Sequence, residues 1–246
     1  MNRKPRSSGT SKGAEFAATS IPESNVQLDG DLSEDLLAKL PTETGETWRT
    51  IAPLLSVSAY LAGGTALMVH LLHRISRDLD IFLEQPEDLV SLWAAIAAAG
   101  HGLASQHDDR TINCVFNGTR LQVLEASTQK LVGPTTTVGE SRVASVEDIM
   151  AMKLKVIMDR GELRDYFDLM AIEERTSLLV ETGISLSVER YGPANVDQYV
   201  DSIVRSLGYF GDVADDPELP VARTDIERYW GRRQRPLMKH IAMYGG

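Results

Sequence analysis

Apolar and polar positions fall into short blocks of changing period. Leu32, Leu36, Leu37 and Leu40 recur at helical spacing from Asp31, and Pro41 stops the pattern. Val57 to Ala62 reads as a short strand ended by Gly63-Gly64, with Thr65 placed to cap the apolar run Ala66 to Leu72. That run is apolar on nearly every side, which predicts a buried helix. Asp78 to Leu83 has strand character, and the Ala-rich stretch from Asp88 to Ala99 reads as a helix stopped at Gly100. Thr111–Phe116 and Thr119–Leu124 flank Asn117-Gly118, a dipeptide that favours a type I′ turn, and predict a hairpin.

Beyond about residue 140 the period is helical. Ser145-Val146-Glu147-Asp148 has the form of a capping box for a helix running to Arg160, with Gly161 just past its end. Further helical patterns cover 162–175, roughly 194–209 and 224–242, and no internal repeat is visible. The pattern predicts an α+β chain: a sheet domain over 31–140 and a helical domain over 141–246. Residues 1–30 mix Ser, Gly, Pro, Lys and Glu without period and are expected to form a flexible tail.

Composition narrows the class. At 246 residues, 43% hydrophobic, 24% charged and 6% aromatic, the chain can bury a core and is neither collagenous nor coiled coil. One cysteine, Cys114, excludes an intrachain disulfide and a cysteine zinc site, and points to a reducing compartment. No apolar run approaches the ~18 residues of a membrane span, so the expectation is a cytoplasmic protein without a membrane partner. The net charge is −10, although Arg3, Lys4, Arg6 and Lys12 are all positive. A polyanionic partner must therefore meet local basic patches.

The most informative stretch is Gly63-Gly64-Thr65 followed by Asp78-Leu79-Asp80. On a strand, the two carboxylates share one face with Cα atoms about 7 Å apart. Two carboxylates aimed at one spot repel unless a divalent cation lies between them, and hard oxygen ligands suit Mg²⁺ or Mn²⁺ bridging to phosphate. A glycine pair opening a helix lets backbone N–H groups approach a triphosphate. Two solvated aspartates at a strand end are the plainer alternative for D-x-D alone. The order glycine pair, helix, D-x-D favours the nucleotide site.

Leu61-Ala62-Gly63-Gly64-Thr65-Ala66-Leu67 with His73-Arg74-Ile75-Ser76-Arg77-Asp78-Leu79-Asp80 resembles the signature of the AbiEii/AbiGii (MenT-like) nucleotidyltransferase toxins of type IV toxin–antitoxin systems. Ser145 to Asp148 leading into Met152-Lys153-Leu154, then Arg160-Gly161 and Arg164-Asp165-Tyr166-Phe167-Asp168-Leu169, is similar to a second block of that family. Ser206-Leu207-Gly208-Tyr209-Phe210 and Asp215-Asp216-Pro217 resemble its C-terminal part. The likeness covers roughly 55–235. It implies a polymerase-β-like nucleotidyltransferase sheet domain, a C-terminal helical domain and a site in the cleft between them.

The resemblance implies that Asp78 and Asp80 hold the metal and that Lys153 and Asp165 join them as catalytic residues. Gly63, Gly64, Thr65, Ser76 and Asp168 are implied to bind nucleotide. It further implies an NTP substrate, the tRNA 3′ end as acceptor, blocked translation and a cognate antitoxin as partner. The residues themselves leave alternatives open. Lys153 shares its helical stripe with Ile149, Met152, Val156 and Ile157, and on spacing alone a snorkelling lysine is the preferred reading. Arg164–Asp168 and Asp165–Asp168 are spaced as a salt-bridged helix surface.

One departure concerns the third carboxylate usual in polymerase-β-type enzymes. The run Arg120 to Glu125 offers Gln122 at that place, leaving Glu125, Asp165, or a metal-bound or unassisted hydroxyl. His70, His73, His101, His107 and His240 lack ligand spacing and read as structural, His73 alone adjoining the motif; Cys114 reads as core. Arg228, Trp230, Arg232, Arg233 and Arg235, with Tyr229 and Lys239, form the one dense basic-aromatic cluster. It reads as a solvated helix or as a grip on a single-stranded RNA end. Two other functions remain open: an antibiotic or metabolite nucleotidyltransferase, and a catalytically silent nucleotide-binding regulator.

Overall fold

The computed structural model describes residues 40–138 and 141–244. The expected tail and all but the last residue of the expected helix from Asp31 to Leu40 lie outside the described residues. Pro41 instead opens a helix, α1 (Thr42–Ile51), as its N-cap. Its inward face uses Thr44, Gly45 and Thr47 beside Trp48 and Ile51, so no apolar period announces it. The buried threonines are satisfied by main chain: Thr44 Oγ1 donates to the Arg77 carbonyl at 3.0 Å and Thr47 Oγ1 to that of Phe116 at 3.3 Å.

Strand β1 (Ala59–Ala62) is buried throughout. It starts two residues later than the pattern suggested because Val57 is exposed. It runs directly into α2 (Gly63–Leu71), apolar and buried over Gly64–Val69 as expected. Thr65 is not its cap: the helix already starts at Gly63, and Thr65 Oγ1 donates instead to the Asp78 carbonyl at 2.5 Å. That bond ties the helix to the chain entering β2 (Leu79–Leu83), which lies antiparallel to β1 with Ala62 opposite Asp80.

Helix α3 (Leu89–Ala99) is capped by the Asp88 carboxylate, which accepts from the Val90 and Ser91 amides. Then β3 (Gly102–His107), β4 (Thr111–Phe116) and β5 (Thr119–Glu125) form an antiparallel meander. Asn117 and Gly118, at φ 47° and 86°, make the expected turn. β3 is an exposed edge strand without alternation, paired with β4 and touched by Trp93 of α3, and its polar, exposed residues carried no signal. Two short strands, β6 (Thr136–Val138) and β7 (Ser141–Val143), complete a seven-stranded mixed sheet in the order β3-β4-β5-β2-β1-β7-β6.

The pleat decides which side chains reach the site. Leu79, Ile81, Leu83, Leu121, Val123, Ile112, Cys114 and Phe116 turn to one face and are buried. Asp80, Gln122 and Asn113, paired across three neighbouring strands, share the other.

The rest is helical: α4 (Val146–Asp159), α5 (Leu163–Arg175), α6 (Val180–Tyr191), α7 (Val196–Leu207) and α8 (Arg223–Tyr244). α4 is the centre, packing against α2, α5, α6 and α7. Ser145 caps it, accepting from the Asp148 amide at 3.0 Å. The reciprocal half of the expected box is missing, because the Asp148 carboxylate faces Arg190 and the Val132 and Gly133 amides. Gly161 is no left-handed cap; it makes room for the Tyr166 ring, whose hydroxyl would lie 2.6 Å from an added β-carbon. The unforeseen α6 buries Gly183, Ser187 and Arg190 among its apolar residues, which hides its stripe. Among the described residues no helix is long and apolar enough to cross a membrane.

Candidate active site

The site begins where β1 becomes α2. Gly63 turns the chain at φ 65°, a conformation costly for any residue with a β-carbon. Asp80, opposite Ala62 on β2, lays its carboxylate in the space that a β-carbon on Gly63 would fill. Gly64 is approached by Arg74 Nη2 and the buried Ser76 hydroxyl, which would lie 2.7 and 3.0 Å from an added β-carbon. The glycine pair therefore brings bare backbone against one acid, one guanidinium and one hydroxyl. Thr65, fully buried, holds the Asp78 main chain in place and offers no free hydroxyl donor.

Asp78 precedes β2 by one residue and lies near enough to Asp80 for its charge to act on that carboxyl. Burial pushes the Asp80 carboxyl up, Lys153 partly offsets this, and the neighbouring Asp78 charge pushes it further, to about 6. The Asp80 negative charge is thus disfavoured by burial and by its acidic neighbour. Two such carboxylates can supply oxygen ligands to Mg²⁺ or Mn²⁺, with phosphate oxygens and water completing the shell. Among the described residues no group of three or more His, Cys, Asp or Glu side chains gathers as a metal site.

Lys153 does not snorkel. Its amine is buried and lies 2.7 Å from Asp165 Oδ1 and 2.8 Å from Asp168 Oδ2. Burial works against its charge, but Asp165 and Asp168 outweigh burial and raise its pKa. Asp168, with no exposed surface, is the hub: Arg74 grips it with Nε and Nη2 at 2.6 and 2.8 Å, and His73 Nε2 lies 2.8 Å from its Oδ1. Burial would raise the Asp168 carboxyl, yet Lys153, His73 and Arg74 together hold it well below the usual carboxylate range. The expected surface pair between Arg164 and Asp168 is absent. Arg164 instead faces Asp78, 3.8 Å from its Oδ2, and Glu162, 2.9 Å from its Oε2.

The structure thus brings together Gly63, Gly64, Thr65, Ser76, Asp78, Asp80, Lys153, Asp165 and Asp168. Arg74, Arg164 and His73's bond to Asp168 were missed as parts of it. Arg74 and His73 stand inside the motif block, but they lie on irregular chain where no period marks a side chain as inward.

The third-carboxylate position is filled by Gln122, the register partner of Asp80 on β5. Glu125 cannot replace it, because the pleat turns Glu125 to the opposite face, where it binds the Ser127 amide and pairs with Arg110. Both Asp165 oxygens are engaged, by Lys153 and by the Glu162 amide at 3.1 Å.

The basic-aromatic cluster divides. Trp230 is fully buried, donates its indole N–H to the Tyr166 carbonyl at 3.1 Å, and cannot stack on a base. Arg233 is tied to Glu173 and Glu181. Arg232, Arg235 and Lys239 remain, an exposed stripe at helical spacing on α8 continued by Arg228, which pairs with Asp225 at 2.7 Å. Cys114 is core, its thiol pushed up to about 11 by burial, and His70 bonds the Ala144 carbonyl.

A family model described as the nucleotidyl transferase AbiEii toxin of type IV toxin–antitoxin systems matches residues 49–241. An uncharacterized protein of Aquifex aeolicus is 29% identical over 213 residues, spanning 85% of this chain and 98% of that one. Among solved structures, JHP933 from Helicobacter pylori has 20% identity and a TM-score of 0.51, covering 87% of this chain and 97% of its own. MenT4, a nucleotidyltransferase toxin from Mycobacterium tuberculosis H37Rv, has 17% identity and a TM-score of 0.51, covering 85% and 90%. At such identities the two structures speak for the fold, while the family match spans most of the chain. The chain belongs to the AbiEii nucleotidyltransferase toxin family of type IV toxin–antitoxin systems.

Proposed function

We propose that this nucleotidyltransferase moves a nucleotide from an NTP to the 3′ end of tRNA, blocking translation, with Mg²⁺ or Mn²⁺ held by Asp78 and Asp80. The observation that carries this reading is the Asp80 carboxylate seated over Gly63, beside Asp78 and within the field of Lys153. The acceptor oxygen attacks the α-phosphorus, the bond to the β-phosphate oxygen breaks, pyrophosphate leaves and the hydroxyl proton passes to water. The bound cation would neutralise charge developing on the phosphoryl oxygens. Gly63 and Gly64 let the chain approach the triphosphate, Arg74 and Ser76 line the same turn, and the Lys153 charge acts on Asp80 beside it. Asp165 and Asp168 fix Lys153, and Asp168 also fixes Arg74.

The exposed stripe Arg228, Arg232, Arg235 and Lys239 suits phosphates of an RNA held by an otherwise acidic protein. A cognate antitoxin and a cytoplasmic location go with this reading. The test offers the purified protein each labelled NTP, Mg²⁺, and unfractionated tRNA, periodate-oxidised tRNA and aminoglycosides side by side. Label on intact tRNA alone is expected. Label on the antibiotic, or equal label on oxidised tRNA, would contradict the acceptor assignment.

A further inference from the structure

A chain of side-chain amides crosses the open sheet face outward from the site. Gln122 Nε2 donates to Asn113 Oδ1 at 2.8 Å, Asn113 Nδ2 to Gln106 Oε1 at 2.9 Å, and Gln106 Nε2 to Asp108 Oδ2 at 2.8 Å. Gln106 reaches this face because the register shifts between Ala104 and Gln106, setting Gln106 opposite Asn113. Asp108 sets the direction of the whole chain. Ionised, it only accepts, so Gln106 must turn its nitrogen toward it and its oxygen toward Asn113, and the same complementarity orients Asn113 and then Gln122. Its other oxygen is fixed by the Arg110 and Thr111 amides.

The consequence falls on Gln122. Its nitrogen is committed toward β4, so the oxygen on the same planar amide is left on the side of β2, where Asp80 is its register partner one strand away. We infer that Gln122 Oε1 accepts a hydrogen bond from the attacking ribose hydroxyl and orients it beside Asp80, as a neutral acceptor-positioning group that takes no proton. A carboxylate there would add another negative charge next to Asp78 and Asp80, whereas an amide oxygen aims the hydroxyl without that repulsion. This inference rests on the proposed site.

The test measures transfer to unfractionated tRNA by the wild type, Gln122→Met, Asp108→Asn and Asp80→Ala, with separate titrations of tRNA and NTP. Gln122→Met keeps the bulk and removes the acceptor. Asp108→Asn keeps an oxygen for the turn but adds a donor at the outer end, releasing the fixed direction of the chain. For both variants, kcat/KM for tRNA is expected to fall about tenfold, the scale of one hydrogen bond, with KM for NTP and the melting temperature unchanged. A loss in Asp108→Asn, three hydrogen bonds away from Gln122, cannot come from lost contact with the attacking hydroxyl and would support orientation through the relay. Wild-type kcat/KM for tRNA in Gln122→Met, with Asp80→Ala inactive, would overturn this inference alone. Full transfer in Asp80→Ala, or none by the wild type, would overturn the proposed site or acceptor and this inference with it.

Discussion

The Asp80 carboxylate occupies the volume that a β-carbon on Gly63 would need. Gly63 also stands at φ 65°, so two independent constraints exclude a side chain there. Gly63→Ala is expected to displace Asp80 and strain the turn, costing about 1–3 kcal/mol of stability and most of the activity. Gly118→Ala carries the backbone strain, at φ 86°, with nothing near its β-carbon. Comparing urea midpoints and transfer rates separates the two effects: Gly118→Ala should lose stability only, and equal activity in both variants would contradict the Asp80 placement.

Asp168 accepts from His73 and Arg74 and pairs with Lys153 without any exposed surface. Lys153→Met leaves two carboxylates facing fewer cations, and a loss of about 3–5 kcal/mol is expected, reduced when Asp165→Asn is added. Because the folded Asp168 carboxyl is held below its unfolded value, its stabilisation is complete above the ordinary carboxylate pKa of about 3.9. It is lost as pH falls below that value. Urea titrations from pH 7 to 3 should show this acid loss in the wild type and a shallower one in Asp168→Asn. Parallel pH profiles would contradict it.

What the sequence disclosed and what it hid have physical reasons. The glycine pair and D-x-D were legible because turn chemistry and strand period act within a few residues. Lys153 was legible as inward but not as paired, since its partners lie on another helix. Arg74 sits on irregular chain where no period operates, Arg164 stands in the first turn of α5 where helical spacing pointed to Asp168 and not to Asp78, and α1 and α6 bury threonine, glycine, serine and arginine in place of an apolar stripe. Trp230 misled because an aromatic beside arginines looks alike whether it faces solvent or core. In α8 it lies on the buried face with Ile226 and Leu237.

That division of α8 gives a contrast. Arg232→Glu with Arg235→Glu is expected to raise KM for tRNA and flatten its dependence on salt, because two phosphate-neutralising charges are lost. KM for NTP should not change. Trp230→Ala should instead lower stability by about 3–5 kcal/mol through the cavity it leaves. Filter binding of tRNA between 50 and 200 mM salt, beside thermal melts, checks both. Unaltered salt dependence in the double variant would remove α8 from the RNA surface.

The central claim is that Asp78 and Asp80 hold the cation for nucleotidyl transfer, and Asp80→Asn tests it most directly. The raised Asp80 carboxyl, at about 6, means that the metal-free native state binds more protons than the unfolded chain between about pH 4 and 6. Stability from this group therefore falls as pH rises through that window, and Asp80→Asn should melt at or above the wild type in EDTA at pH 7. The deciding measurement is transfer of label from α-labelled NTP to unfractionated tRNA by this folded variant with Mg²⁺. The account predicts a loss of at least about 100-fold, the scale of a lost metal ligand at a developing phosphoryl charge. Wild-type transfer by Asp80→Asn would contradict it.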